Sequence, residues 1–480
     1  MSGELTAGSP LKKILSFCAP LLVGNLFQQL YTTVDSIIVG QHLGMDAFAA
    51  IGSTSSLHAL VIGFSIGLCS GLSIPVAQHY GAGNIRALRR AEVNGLYIAA
   101  IAAVLISILM TLFTRPILML LRTPANILDD AAAFIGTLFA GSSALILFNM
   151  VLGYMRALGD SKGPLFYLIL ASVFNILLDL LFVMVLPFGV RGAALATILA
   201  QLCAALLGIR SIRKNLPVLH IRKKDLRLSL PDVGKLSAIA LPIGLQCAIT
   251  AVGSIILQMV INGLGSQAVA AISAGGKVHT LLFAPMDALG IAVMIFVCQN
   301  YGAGQLNRVR RGVSQVMLAS TAYVLFSMLF TWFAGRGFAQ FYLSAHASEI
   351  LDMTQTYLRI SSFFLLFLNM ISIYRNALQG LGYVKIAMGS GVCELVARSG
   401  VSILATGAAG FVGVCFATPV AWLAAALFVF SMYLFALRRL EKKAATARQN
   451  ALPNDENNFA LPVAAAEALS QSAEQGKAEP

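Results

Sequence analysis

Gln78-His79-Tyr80-Gly81-Ala82-Gly83-Asn84 runs on into Arg89-Arg90, and 221 positions later Gln299-Asn300-Tyr301-Gly302-Ala303-Gly304-Gln305 runs on into Arg310-Arg311. The same offset relates Leu43-Gly44 to Leu264-Gly265, Ala49-Ala50-Ile51 to Ala270-Ala271-Ile272, and Ala196-Thr197 to Ala417-Thr418. An offset held over about 150 residues means that one unit is written twice.

The unit is built for lipid. Hydrophobic residues fill 58% of 480 positions and charged ones 11%, against about a quarter charged in an ordinary soluble domain. Twelve apolar runs, from 14–39 to 410–437, are each about as long as a spanning helix requires. Six runs per half is an even number, so both halves start on the same side and are related by a pseudo-twofold axis along the membrane normal. The expected fold is an all-α polytopic membrane protein with 12 transmembrane helices in two pseudo-twofold-related six-helix lobes. Residues 1–13 form a cytoplasmic N-terminus, 14–209 the first lobe, 210–235 a cytoplasmic linker, 236–437 the second lobe, and 438–480 a polar, disordered cytoplasmic tail. A break between spans is expected at Pro187 to Gly189. Pro20 and Pro242, inside the first and seventh runs, mark a matched pair of bending points.

The formal charge of +13 follows this topology. With the N-terminus inside, 26 of the 33 Lys and Arg residues fall in cytoplasmic segments, eight of them between Arg210 and Lys235. That asymmetry is the positive-inside pattern and calls for no nucleic-acid partner. It places the chain in the inner (plasma) membrane with both termini cytoplasmic. The seven cysteines are scattered in or beside apolar runs and read as small core residues. Gly63-Phe64-Ser65-Ile66-Gly67 imitates a hydrolase nucleophile motif, but in an apolar helix it lacks the required strand-turn-helix elbow. Neither a phosphate loop nor a metal-ligand cluster is present, so an enzyme and a cofactor are not expected.

Acids in mid-span are costly and therefore mark function. Asp35 follows Gln28 and Tyr31 by seven and four residues, which puts all three on one helical face and makes Gln28 and Tyr31 candidates to line a substrate cavity. Asp179 follows Asn175 by four, and Thr197 in the next span can join them. Carboxylates, an amide and a hydroxyl suit a proton or a hard cation such as sodium. The second half differs: Asp35 falls opposite Ile256 or Leu257, and Asn175 and Asp179 align, after a two-residue slip, with Glu394 and Arg398, a polar pair able to neutralise itself within one helix. Asp287 and Lys277 read as a buried pair, and His58 as a satisfied polar residue.

On Pro20 and Asp35 fifteen residues apart, the two Gly-Ala-Gly loops, and Asn175 with Asp179 and Thr197, the chain is similar to the bacterial multidrug and toxic compound extrusion (MATE) family over about residues 10–440. The resemblance implies a V-shaped pair of lobes opening alternately to either side. It further implies a cation site at Asp35, Asn175, Asp179 and Thr197, and a bend at Pro20 linked to its protonation. Some branches place an acid midway in the seventh span; the stretch from Gln246 to Gly253 has none. The expected activity is secondary antiport, exporting amphipathic, often cationic organic compounds in exchange for inward H+ or Na+. The expected partners are small organic substrates and membrane lipid, with the chain acting as a monomer. A lipid-linked saccharide flippase is the alternative, disfavoured by the few basic residues in the spans.

Overall fold

The computed structural model describes residues 5–121, 123–186, 188–221, 225–340 and 348–450. The first half contains α1 (Pro10–His42), α2 (Gly44–Gly81), α3 (Ile85–Leu120), α4 (Leu128–Ala140), α5 (Ser142–Ala157), α6 (Lys162–Asp179) and α7 (Gly189–Asn215). The second contains α8 (Leu230–Gly263), α9 (Ser266–Gly302), α10 (Leu306–Phe333), the short α11 (Gly335–Ala339), α12 (Ser348–Phe363), α13 (Leu365–Gly380), α14 (Val384–Cys415) and α15 (Ala417–Asn450). Among the described residues, ten helices are long and apolar enough to cross a membrane alone. The pairs α4–α5 and α12–α13, bent by 47° and 50°, complete twelve spans. Large apolar side chains such as Leu112, Leu318, Val396 and Leu404 are exposed along the helices, as lipid-facing surfaces require.

The repeated heptapeptide is a helix ending. In each copy the carbonyls of the second and third residues accept backbone N–H bonds around a left-handed glycine: Asn84 donates to His79 at 3.0 Å and Gly83 to Tyr80 at 3.1 Å, mirrored by Gln305 to Asn300 at 2.8 Å and Gly304 to Tyr301 at 3.0 Å. Gly83 and Gly304 have φ of 69° and 73°, the conformation this Schellman ending demands. Asn84 then caps α3 by accepting from the Ala87 N–H at 3.1 Å. The basic residues that follow fasten the end of each lobe: Arg89 donates to the carbonyls of Val218 and Pro217, while Arg310 pairs with Glu441 at 3.6 Å.

Two sharp breaks lie away from the expected bending points. Both α1 and α8 run on through Pro20 and Pro242, whereas the sharp bends fall beside Gly141 and Phe364, in the fourth and tenth spans. A break does fall at Gly189, which has φ 58°, and its repeat partner Gly410 has φ 56°. Because Gly410 turns the chain inside α14, the last span starts at Ala417 instead of 410. The helices also extend into the expected linker and tail: α7 ends at Asn215, α8 starts at Leu230, and α15 continues to Asn450. Residues 222–224 of the linker and 451–480 of the tail lie outside the described residues. All seven cysteines are free, and Cys203 is exposed on α7 instead of packed in the core.

The lobes meet most closely at the ends of α2 and α9. A Cβ on Gly81 would lie 2.0 Å from the Gln299 carbonyl oxygen, and one on Gly302 would lie 1.9 Å from that of Gln78. These contacts exchange under the repeat, as a twofold axis between α2 and α9 requires. The glutamine side chains repeat the exchange: Gln78 donates to the Gly380 carbonyl and Gln299 to the Ala157 carbonyl, both at 2.9 Å. Gly67 and Gly71 also admit the backbone of α8, where a Cβ would lie 2.7 and 2.6 Å from it, whereas a Cβ on Gly52 or Gly263 would meet nothing within 4 Å. The chain start lies on the closed face too, where Leu5 donates to the Gln299 side chain at 3.0 Å.

Candidate functional site

Asp35 on α1 and Asp179 on α6 bring their carboxylates within hydrogen-bonding reach of each other. Asp179 is fully buried and Asn175, one turn earlier, nearly so. Asn175 donates to the Thr197 hydroxyl on α7 at 3.3 Å, and Thr197 in turn donates to the Ala193 carbonyl at 3.2 Å. The four residues singled out by sequence thus come together from three helices. Four oxygen atoms in this cluster are buried without a donor: Oδ1 of Asp35, both carboxylate oxygens of Asp179, and Oδ1 of Asn175. Two ionised carboxylates have no proton to give each other, so their contact leaves room for one cation, whether a proton or a metal ion. The oxygen donors present fit either.

Immediately after Asp179 the helix widens into a π-helical turn, Leu180–Val185. The repeat register explains it. Gly159 and Gly382, left-handed glycines before α6 and α14, lie 223 positions apart, while Gly189 and Gly410, after them, lie 221 apart. The first half therefore carries two additional residues between them, and the wider turn absorbs part of this excess. This register also revises the alignment of the polar positions. Asn175 corresponds to Arg398 and Asp179 to Ser402, not to Glu394 and Arg398, because the slip runs in the opposite direction to the one expected.

A cavity of about 430 Å³ opens beside the cluster, lined by Asn175 and Thr197 and by Gln28 and Tyr31 on α1. Pro20 lies outside this lining, four turns before Asp35 on α1. His58 on α2 also faces the cavity. Asp287 of α9 is not one half of a pair with Lys277: it lines the cavity, accepts from Asn25 of α1 at 3.5 Å, and lies deep in the protein while open to the cleft. Sequence reasoning passed over Arg156 at the end of α5, Arg375 on α13, and Asn25. Both arginines lie just beyond the ends of the apolar runs assigned to their spans and so were counted as loop residues.

Glu394 and Arg398 are buried and paired at 3.4 Å, but the expected self-contained pair has a third member, since Arg375 also binds Glu394 at 3.1 Å. Arg398 reaches across to α8, donating to the Thr250 carbonyl and to the Ser254 hydroxyl at 3.4 and 3.3 Å. Beside it Gln379 donates to Gln246 at 3.0 Å.

The MatE family profile matches residues 20–181 and again 242–404, one match per half. The chain belongs to the MatE family. Among MatE relatives it is 31% identical over 302 residues to the probable multidrug resistance protein YoeA of Bacillus subtilis, a match spanning 62% of this chain and 65%, just under two thirds, of that protein. It is 27% identical over 317 residues to a protein of Shewanella oneidensis named FAD transporter, covering 65% and 69% of the two chains. Its fold matches an outward-facing MATE-family multidrug resistance transporter with a TM-score of 0.85 at 22% identity, covering 92% of this chain and 99% of that one. MatE proteins are cation-coupled membrane transporters, and the two-lobe architecture expected from the repeat is the MatE fold.

Proposed function

We propose that this MatE chain is a secondary antiporter that moves a small organic substrate outward from the central cavity in exchange for one cation, H+ or Na+, held between Asp35 and Asp179. The observation that carries the reading is the contact of these two carboxylates, with their oxygens otherwise without donors. Arrival of a cation from the open end relieves their repulsion and draws α1 toward α6. Because α1 also contributes Gln28 and Tyr31 to the cavity wall, the same movement changes the surface that holds the substrate. Pro20 supports a bend in α1 on the closed side of Asp35, where its ring removes one helix hydrogen bond.

The closed face carries Arg86, Arg89, Arg90, Arg308, Arg310 and Arg311, and by the positive-inside rule it is cytoplasmic. Both ends of the described chain reach this face, at Leu5 and at Glu441. The lobes are then open to the outside of an inner membrane. A cavity of about 430 Å³ suits a drug-sized molecule, which disfavours a lipid-linked saccharide, although the arginines in the spans are more numerous than the sequence reading allowed. The relatives named for multidrug resistance and for FAD support an organic cargo that need not be a cation. The remaining reading is a monomer that needs no cofactor.

The test is transport in proteoliposomes under imposed proton or sodium gradients, comparing wild type with Asp35→Asn and Asp179→Asn. Gradient-dependent export lost in both variants supports the assignment; wild-type rates in both would overturn it. Replacing sodium by lithium or potassium at fixed pH separates the two coupling ions.

A further inference from the structure

Arg156 and Asp287 are the two charged side chains that line the cavity among the described residues. Asp287 is already engaged, by the amide of Asn25 and by the charges of Arg375 first and Arg156 second. Arg375 binds Glu394, and Glu394 binds Arg398. The connected set contains three guanidinium groups and two carboxylates, so one positive charge is in excess. Arg156 is the guanidinium of the set that lines the cavity, and it meets Asp287 only through longer-range attraction. Unlike Arg375 and Arg398, it has no carboxylate within salt-bridge distance and donates no hydrogen bond among the described residues. A guanidinium inside a membrane protein with no carboxylate in contact is costly and marks a place where an opposite charge can arrive.

The wall above it has the matching shape. Leu145, Phe148, Leu152 and Arg156 follow one another at helical spacing, and all four line the cavity. An apolar stripe along α5 therefore ends on a cation. Arginine also has the planar fork that carboxylate and phosphate groups fit in bidentate fashion.

We propose that the cavity selects organic amphipaths carrying an acidic group, a carboxylate or phosphate, which pairs with Arg156 while the apolar body lies along Leu145, Phe148 and Leu152. A cationic portion of the same molecule can face Asp287, so zwitterions are included. The inference rests on the central cavity being the substrate site, as in the antiport reading.

The experiment measures binding of two dyes to the full-length protein in lipid nanodiscs by fluorescence anisotropy: a rhodamine with a free carboxylate, and the ethyl ester of the same dye. Wild type is expected to bind the acid more tightly than the ester. Arg156→Gln should lower the acid-over-ester preference about tenfold, the loss of one charge-assisted pair, and Arg156→Lys should retain part of it. Asp287→Asn, which removes the cavity's carboxylate, should raise the preference, and this arm serves if Arg156→Gln fails to fold. Equal affinity of wild type for both dyes, a preference that survives Arg156→Gln, or binding of neither dye overturns the proposal. Gradient-driven export of the ester, with and without Asp35→Asn, judges the antiport reading separately.

Discussion

The two lobes place different chemistry at matching positions. Where α1 meets α6, the first lobe holds Asp35, Asn175 and Asp179; where α8 meets α14, the second holds Ile256, Arg398 and Ser402. The first arrangement has acceptor oxygens without donors, and the second has a guanidinium bound to Glu394, Ser254 and the Thr250 carbonyl. In effect the second lobe carries a permanent cation on a side chain at the level where, on the proposed antiport reading, the first lobe offers an exchangeable place for one. A fixed charge pairs once, during folding. A place for a mobile ion can be filled and vacated, and only such a place can couple to a gradient.

The comparison breaks most severely at Glu394. Replacing it with Gln leaves Arg398 buried without a counter-charge, and the expected loss of stability is about 3–5 kcal/mol, read as a lowered melting temperature in detergent. Simultaneous replacement of Glu394, Arg375 and Arg398 by apolar residues should recover much of that loss, which no functional ion site would permit. At the acid pair the expected effect is on coupling instead of stability. For export of a substrate of zero net charge against one proton, 100 mV and one pH unit supply about 2.3 and about 1.4 kcal/mol. Asp35→Asn or Asp179→Asn should therefore collapse a substrate gradient of several hundredfold toward unity, measured as dye accumulation in vesicles.

A smaller effect tests the symmetry of the closed face. Gly81→Ala and Gly302→Ala each drive a Cβ into the opposite lobe's carbonyl, and overpacking of this kind costs about 1–3 kcal/mol. Both should open the cytoplasmic face by similar amounts, measured as labelling of a cysteine introduced into the cavity wall; unequal labelling would mean that the axis is only approximate there. The smallest change is expected from Ser402→Ala, opposite Asp179 in the repeat. Ser402 is buried and donates to the Ser399 carbonyl at 3.0 Å, so the change should cost about 1 kcal/mol and leave gradient-driven transport at the wild-type rate.

Much of this was legible in the chain because it depends on local rules. The heptapeptide ends a helix wherever it stands, since Gly83 and Gly304 alone accept the left-handed turn. Asp35 and Asp179 stood out because carboxylates in apolar runs are rare for a physical reason. Arg156 did not stand out: it lies in the last turn of α5, and only the approach of α9 turns a residue near a helix end into a cavity lining. Pro20 and Pro242 were legible as places where a helix hydrogen bond is lost, whereas the breaks beside Gly141 and Phe364 carry no proline and gave no such signal.

The sequence by itself determined the doubled plan, the twelve spans, the polar trio on α6 and α7, and the absence of its copy in the second half. These follow from hydropathy, helical period and repeat offset, all of which are properties of neighbours along the chain. The tertiary structure alone decided that Asp35 meets Asp179, that Glu394 is shared between two arginines, and that Arg156 lines the cavity without a salt bridge among the described residues. Each depends on helices far apart in sequence, and the energy of a buried charge is set by whatever lies within a few ångströms of it.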